Sequence, residues 1–239
     1  MRIVAAAVPW TVVGGRLGIT GSVTPHPAGI ALTLEQRKGS GWLPVATGRV
    51  RFDGAFSFVT HPDRVGVATY RVVTSDGTAF VGASARVPVR VLHWVYVESV
   101  PTFAYAPPAS GEVTYEPIVS DGVRYEHPIS MDAGCYNQWG GDAWVDYPLQ
   151  RQYELFTATV GLDDGAPTGE TATYTVLGGD GKKLAAGSLV TGAATKLRVS
   201  VSGEYRLRLR INVPDPNNAA GCSTTYTKVV FGDAELLGP

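Results

Sequence analysis

The chain has 239 residues, enough for two domains of ordinary size. Its formal net charge is −1, and charged residues make up 17% of it, against about 25% in an average soluble protein. It contains no run of Lys or Arg and no apolar stretch of about 20 residues. The sequence therefore predicts neither nucleic-acid binding nor insertion into a membrane.

The N-terminal stretch lacks the organisation of a signal peptide. Residues 3–8 are weakly apolar, Pro9 and Trp10 interrupt them, and no small-residue cleavage site follows. We expect this stretch to be the first strand of the fold. Three explanations stay open: the chain is a fragment of a longer secreted protein, its true start is missing, or it is a phage virion protein that leaves its host by lysis.

Apolar and polar residues alternate through the first 91 positions. Alternation at period two predicts strands that bury one face. Turn signals such as Asp53-Gly54 separate these strands at intervals of about 8 to 12 residues, which is the spacing of a β-sandwich. The seven predicted strands cover residues 3–8, 16–23, 31–37, 42–51, 55–58, 69–73 and 83–92.

The order of these phrases resembles an immunoglobulin-like repeat of secreted bacterial proteins. The matching phrases are residues 15–23, 32–37, 41–46, 54–58 and 70–72. The resemblance covers residues 1–91 and lacks the cysteine pair of antibody domains. It implies a spacer or adhesion module without an active site.

The pattern changes near residue 92, where a proline-rich connection follows. We place the domain boundary there, with one domain over residues 1–91 and a second over residues 92–239. Longer alternating stretches then cover residues 143–149, 153–162, 171–177, 196–201, 204–213, 226–231 and 234–237. No helix is predicted, so the fold class is all-β, with two β-sandwich domains in tandem.

The second domain resembles the novel putative carbohydrate-binding module family, which is related to carbohydrate-binding module family 51. The matching phrases are residues 125–130, 147–149, 153–164, 174–184, 197–203, 207–209 and 231–236, with Phe231 where the family usually has Trp. The resemblance covers residues 93–238. It implies a galactose-binding-like jelly-roll sandwich that binds sugars without hydrolysing them, and some relatives hold a structural calcium ion.

The sequence carries no signature of catalysis. The four histidines form no His-x-His or His-x-x-x-His pair, so the spacing of a zinc site is missing. There is no Gly-x-Ser-x-Gly nucleophile elbow, and no phosphate-binding glycine pattern follows a predicted strand. Only the fold can pair the carboxylates of a glycoside hydrolase, which leaves that alternative open. We expect a protein that is not an enzyme.

Aromatic residues in polar loops are the candidates for sugar binding, because a flat ring covers the C–H face of a sugar. The candidates are Tyr136, Asn137, Gln138 and Trp139, followed by Tyr226 and Tyr105. For Trp139, packing against a neighbouring disulfide is an equal alternative. Three other aromatic residues alternate within predicted strands and are expected in the core: Trp144, Tyr147 and Phe156. The remaining tryptophans are expected in the core or between domains: Trp10, Trp42 and Trp94.

The two cysteines, Cys135 and Cys222, both lie in polar, glycine-flanked stretches. Two loop cysteines favour one disulfide, which would be worth about 4 kcal/mol for so long a loop. Two unpaired thiols are the alternative.

Asp163 and Asp164 are the candidates for a structural calcium ion, and no other cofactor is predicted. They lie at the end of a predicted strand, before Gly165. An alternating series of oxygen ligands is missing, so a turn in which Asp accepts nearby N–H groups is the favoured interpretation.

These observations predict non-catalytic carbohydrate recognition by the C-terminal sandwich, with the N-terminal domain as a spacer or adhesion module. The expected partner is a glycan or cell-surface polysaccharide, together with other cell-surface or virion proteins. The expected location is extracellular: secreted, on a cell surface or in a virion. The alternative is a structural or adhesion protein, such as a phage virion decoration or tail component.

Overall fold

The computed structural model describes residues 1–25, 28–74, 82–102, 109–110, 112–132, 142–213 and 227–239. In these residues the regular structure is β-strand, apart from one 3-10 turn, η1, at Val97–Ser99. No helix among them is long and apolar enough to cross a membrane. The predicted all-β fold class is therefore confirmed. The chain divides into two compact units, Met1–His93 and Trp94–Gly238.

The N-terminal unit is built from two sheets. Its strands are β1 Arg2–Ala7, β2 Trp10–Val12, β3 Leu17–Thr24, β4 Ala31–Lys38, β5 Gly41–Arg49, β6 Ala55–Thr60, β7 Gly66–Thr74 and β8 Val87–Tyr96. One sheet has the order β1-β3-β6, and the other has the order β5-β4-β7-β8-β2. Only β2 and β8 run parallel among these pairs. The eight strands divide three and five between the two sheets, which is similar to the division in immunoglobulin-like sandwiches.

Period-two alternation forms the core of the N-terminal unit. In β3, Leu17, Ile19 and Val23 are fully buried, while Gly18, Thr20 and Ser22 between them are exposed. Phe56 and Phe58 of β6 are buried as well, with ring centroids 5.8 Å apart. Burying one aromatic or branched side chain stabilises the fold by about 1.5 to 3 kcal/mol, so the sheets are held together mainly by these residues.

The C-terminal unit is a five-on-five antiparallel sandwich. Its strands are β9 Ala109–Ser110, β10 Glu112–Thr114, β11 Ile118–Ser120, β12 Val123–Tyr125, β13 Ile129–Asp132, β14 Asp142–Pro148, β15 Leu155–Leu162, β16 Thr171–Leu177, β17 Lys183–Val190, β18 Thr195–Ser200, β19 Arg206–Asn212 and β20 Lys228–Gly238. One sheet has the order β10-β13-β20-β15-β18 and the other β17-β16-β19-β14-β9. Strands β11 and β12 form a separate hairpin.

Large aromatic residues fill the space between these two sheets. Tyr147 and Phe156 are completely buried, which confirms their predicted place in the core. Phe231 is also completely buried, and its ring meets Tyr174 edge-on with centroids 6.2 Å apart. The position of Phe231, at which the family that the second domain resembles usually has Trp, is therefore a core position in this chain.

Candidate functional site

The outward face of the β14–β19 pair carries a row of charged and aromatic side chains. Ala143, Val145 and Tyr147 of β14 are buried in the core, so the residues between them belong to the other face. The same alternation in β19 buries Leu207, Leu209 and Ile211. The opposite face then carries Asp142, Trp144 and Asp146 from β14 and Arg206, Arg208, Arg210 and Asn212 from β19.

Asp146 organises the middle of this face. Arg208 donates two hydrogen bonds to its carboxylate, from Nε to Oδ1 at 2.7 Å and from Nη2 to Oδ2 at 2.8 Å. Arg206 adds a longer contact of 3.3 Å, and Asp146 is only 5% exposed. The Arg208 guanidinium also lies 4.0 Å from the centre of the Trp144 ring. The hydrogen bonds to Asp146 raise the pKa of Arg208, although its partial burial acts in the opposite direction.

A depression of about 270 Å³ lies at one end of the same face. Its lining residues are Asp142, Thr173, Thr175, Arg210, Ile211 and Asn212. Asp142 accepts hydrogen bonds from Arg210 Nη2 at 2.5 Å and from Asn212 Nδ2 at 3.0 Å. Carboxylate, amide, guanidinium and hydroxyl groups thus stand within one small area, which can pair with the alternating donors and acceptors of a hydroxyl-rich ligand.

Two lining residues of this depression, Asp142 and Asn212, adjoin the segments that carry predicted binding residues. Asp132 pairs with Lys228 across β13 and β20, and Asp142 pairs with Asn212 across β14 and β19. Residues 133–141 connect Asp132 to Asp142, and the segment after Asn212 returns to Lys228. These four paired residues, Asp132, Asp142, Asn212 and Lys228, are the anchors of both segments.

The sequence-predicted ligand residues and both cysteines lie outside the described residues. These are Tyr136, Asn137, Gln138, Trp139, Tyr226, Tyr105, Cys135 and Cys222. Their predicted roles therefore stay predictions.

The predicted core position of Trp144 is wrong. It is half-buried on the outward face, with Arg208 stacked on it, because Ala143 and Val145 occupy the inward positions of β14. Sequence reasoning also missed Asp142, Asp146 and the arginines of β19. The signal was present in the spacing: Asp142, Trp144 and Asp146 share one parity, as do the three arginines of β19.

The carboxylates of the two candidate calcium ligands accept backbone N–H groups. Asp163 Oδ1 accepts the backbone N–H of Lys228 at 2.7 Å, and its Oδ2 accepts that of Gly165 at 3.2 Å. Asp164 Oδ2 accepts the N–H of Gly122 at 3.1 Å. Within the described ranges, no group of three or more His, Cys, Asp or Glu side chains is arranged to hold a metal ion.

A second depression lies on the outward face of the opposite sheet and has a volume of about 330 Å³. Thr157, Thr159, Lys196, Arg198 and Asp233 are among its lining residues. No aromatic side chain of the described part of the chain lines it. No aromatic side chain is among the lining residues of the first depression either, but Trp144 lies on the same face as that depression. We therefore take the β14–β19 face as the candidate site.

A family model described as "NPCBM/NEW2 domain" matches residues 101–236. Among solved structures, the CBM51-2 and INT domains of Clostridium perfringens ZmpB match with 15% identity and a TM-score of 0.46, over 73% of this chain and 38% of that one. The CBM51 of Clostridium perfringens GH95, in complex with methyl-galactose, matches with 21% identity and a TM-score of 0.45, over 60% of this chain and 99% of that one.

No curated protein matches the chain. This chain spans 38% of the length of the ZmpB structure. The family model covers more than half of the 239 residues, and it includes every strand of the C-terminal sandwich from β9 to β19. The chain belongs to the NPCBM/NEW2 domain family.

Proposed function

We propose that the C-terminal unit binds carbohydrate and does not hydrolyse it. Membership of the NPCBM/NEW2 family over residues 101–236 carries the proposal. The depression on the β14–β19 face supports it, because Asp142, Arg210 and Asn212 present both hydrogen-bond donors and acceptors at the protein surface. Hydroxyl groups of a sugar need partners of both kinds.

The proposed site extends into the adjoining loops. Tyr136, Trp139 and Tyr226 would supply the aromatic faces, and Asn137 and Gln138 would supply amide groups. Their segments begin and end at the anchors Asp132, Asp142, Asn212 and Lys228, of which Asp142 and Asn212 line the depression. The proposed ligand is a glycan or cell-surface polysaccharide met outside the cell.

The single carboxylate among the described lining residues of the depression supports binding without catalysis. Hydrolysis of a glycosidic bond uses two carboxyl groups, one on each side of the bond. Among the described lining residues, Asp142 is the one carboxylate, and Arg210 and Asn212 already bind it.

We assign the N-terminal unit the role of a spacer or adhesion module.

A glycan array tests this function. The full chain is expected to bind a defined group of glycans, and Trp139→Ala is expected to lose most of that signal. Tyr205→Ala is the matched control, because Tyr205 is an exposed aromatic residue at the opposite end of β19. An array without any bound glycan would contradict the proposal. Together with self-assembly into a symmetric particle, it would favour a structural or adhesion protein such as a phage virion component.

We further expect Cys135 and Cys222 to form a disulfide in protein exposed to air. Cys135 follows Asp132 by three residues and Cys222 precedes Lys228 by six, and these two anchors are paired. Since a chain spans up to about 3.5 Å per residue, both sulfurs can reach one point. Peptide mass spectrometry without reductant should show the linked pair. Two free thiols in the folded protein would contradict the link and the extracellular location inferred from it.

A further inference from the structure

The N-terminal unit carries a second cluster of arginine and tryptophan on the outward face of its larger sheet. Trp42 of β5 pairs with Arg37 of β4, and Glu35 of β4 pairs with Arg71 of β7. Trp42 is half-buried on this face and is absent from the hydrophobic core of the unit, which was one of its two predicted places. The spacer assigned above makes no use of this cluster.

Two guanidinium groups surround the Trp42 ring. Arg71 lies 4.3 Å from the ring centre and Arg37 lies 5.5 Å from it. Arg71 is also fixed from the other side, because its Nε donates a hydrogen bond of 2.6 Å to Glu35 Oε2. The cation–π contacts with Trp42 and the ion pair with Glu35 therefore hold the guanidinium group of Arg71 in place at the surface.

Beside the Trp42 ring lies a depression of about 290 Å³, lined by Arg37, Trp42, Thr69, Arg86 and Pro88. Arg37 and Arg86 are exposed. Arg86 has no ion pair with another residue in the described part of the chain, and Arg37 uses Nε for the carbonyl of Gly39 at 2.8 Å.

The net positive charge of this cluster favours binding of an anion. It contains three arginines, Arg37, Arg71 and Arg86, and one carboxylate, that of Glu35, which gives it two surplus positive charges. The whole chain has a net charge of −1, so this surplus is local. Two exposed guanidinium groups beside a depression can each bind a carboxylate through two parallel N–H groups.

We propose that this arginine–tryptophan cluster binds a carboxylate-bearing polysaccharide. Arg37 and Arg86 would hold the carboxylates, the Thr69 hydroxyl would meet a sugar hydroxyl, and Pro88 with the edge of Trp42 would contact the C–H surface. The depression opens onto the face of a sheet, which suits a polymer that crosses the surface. The cluster is independent of the C-terminal site, and both contacts on one chain would increase the avidity for an acidic polysaccharide.

Affinity electrophoresis of the full chain tests this proposal, with polygalacturonate, neutral dextran or dextran sulfate in the gel. We expect retardation by polygalacturonate and none by dextran. The double variant Arg37→Gln/Arg86→Gln should bind polygalacturonate at least about tenfold more weakly, since each lost charged hydrogen bond weakens binding by about that factor. The loss should shrink at high salt, where ion pairs are screened.

The matched control is Arg2→Gln/Arg16→Gln, which removes the same charge from exposed positions on and beside the other sheet. It should bind polygalacturonate as the wild type does. Equal weakening of both double variants would show a diffuse charge effect and overturn the proposal. Retardation by dextran sulfate alone, or no retardation by any acidic polymer, would also overturn it.

Discussion

Gly21→Ala is expected to disrupt the N-terminal unit. Gly21 lies in β3, the central strand of the β1-β3-β6 sheet. A Cβ atom at this position would stand 1.9 Å from the backbone oxygen of Val4 and 2.4 Å from the Phe56 ring. The backbone of β1 would have to move, and the buried Phe56 ring would have to give way. We expect a loss of about 3 kcal/mol or more in the free energy of unfolding.

Gly18→Ala on the same strand is the matched control. No atom lies within 4 Å of a Cβ placed at Gly18. Its free energy of unfolding should stay within about 0.5 kcal/mol of the wild type. Hydrogen exchange followed by mass spectrometry separates the two units: Gly21→Ala should lose protection in β1 and β3 and keep it in β14 and β19. Equal protection in the two glycine variants would contradict the close approach of β1 and β3 at this point.

Arg208→Ala is expected to destabilise the C-terminal unit by about 2 to 3 kcal/mol. The substitution removes both short hydrogen bonds to Asp146 and leaves this buried carboxylate with the 3.3 Å contact to Arg206. It also uncovers the Trp144 ring. A carboxylate that is only 5% exposed cannot recover these hydrogen bonds from water, so most of the cost remains.

Arg210→Ala provides the comparison for this effect. Arg210 lies two residues further along the same face and pairs with Asp142, but half of its side chain is exposed to water. Exposed ion pairs contribute about 0 to 1 kcal/mol, and the loss should stay in that range. Urea denaturation of both variants, followed by the exchange of β14 and β19 amides, measures the difference. Similar losses in Arg208→Ala and Arg210→Ala would show that Asp146 is not the organising residue of this face.

Period-two alternation predicted most of the long strands. Predicted residues 16–23 correspond to β3 at Leu17–Thr24, and predicted residues 204–213 contain β19 at Arg206–Asn212. Strands β9 to β13 were not predicted, because two to four residues are too few to show a period. Strand β17 was also missed as a strand: its sequence, KLAAGSLV, has little alternation, although it forms a local hairpin with β16.

The contacts of the candidate site could not be predicted from the sequence alone. Alternation alone indicates that Trp144 and Asp146 share a face, but it does not say which face is buried. The pairing of β14 with β19 decides that Arg208 meets Asp146 and that Asp142 meets Asn212. These partners are more than 60 residues apart in the sequence, so composition and motif spacing carry no trace of the contact.

A titration of the full chain with a glycan identified on the array tests the central claim most directly. Asp142→Asn should bind this glycan about tenfold more weakly than the wild type, because the carboxylate is both an acceptor in the depression and the partner of Arg210. Asp180→Asn, which changes the same charge in the turn between β16 and β17 at the far end of the sheet, should bind like the wild type. Identical dissociation constants for all three proteins would contradict the assignment of this face as the sugar-binding site.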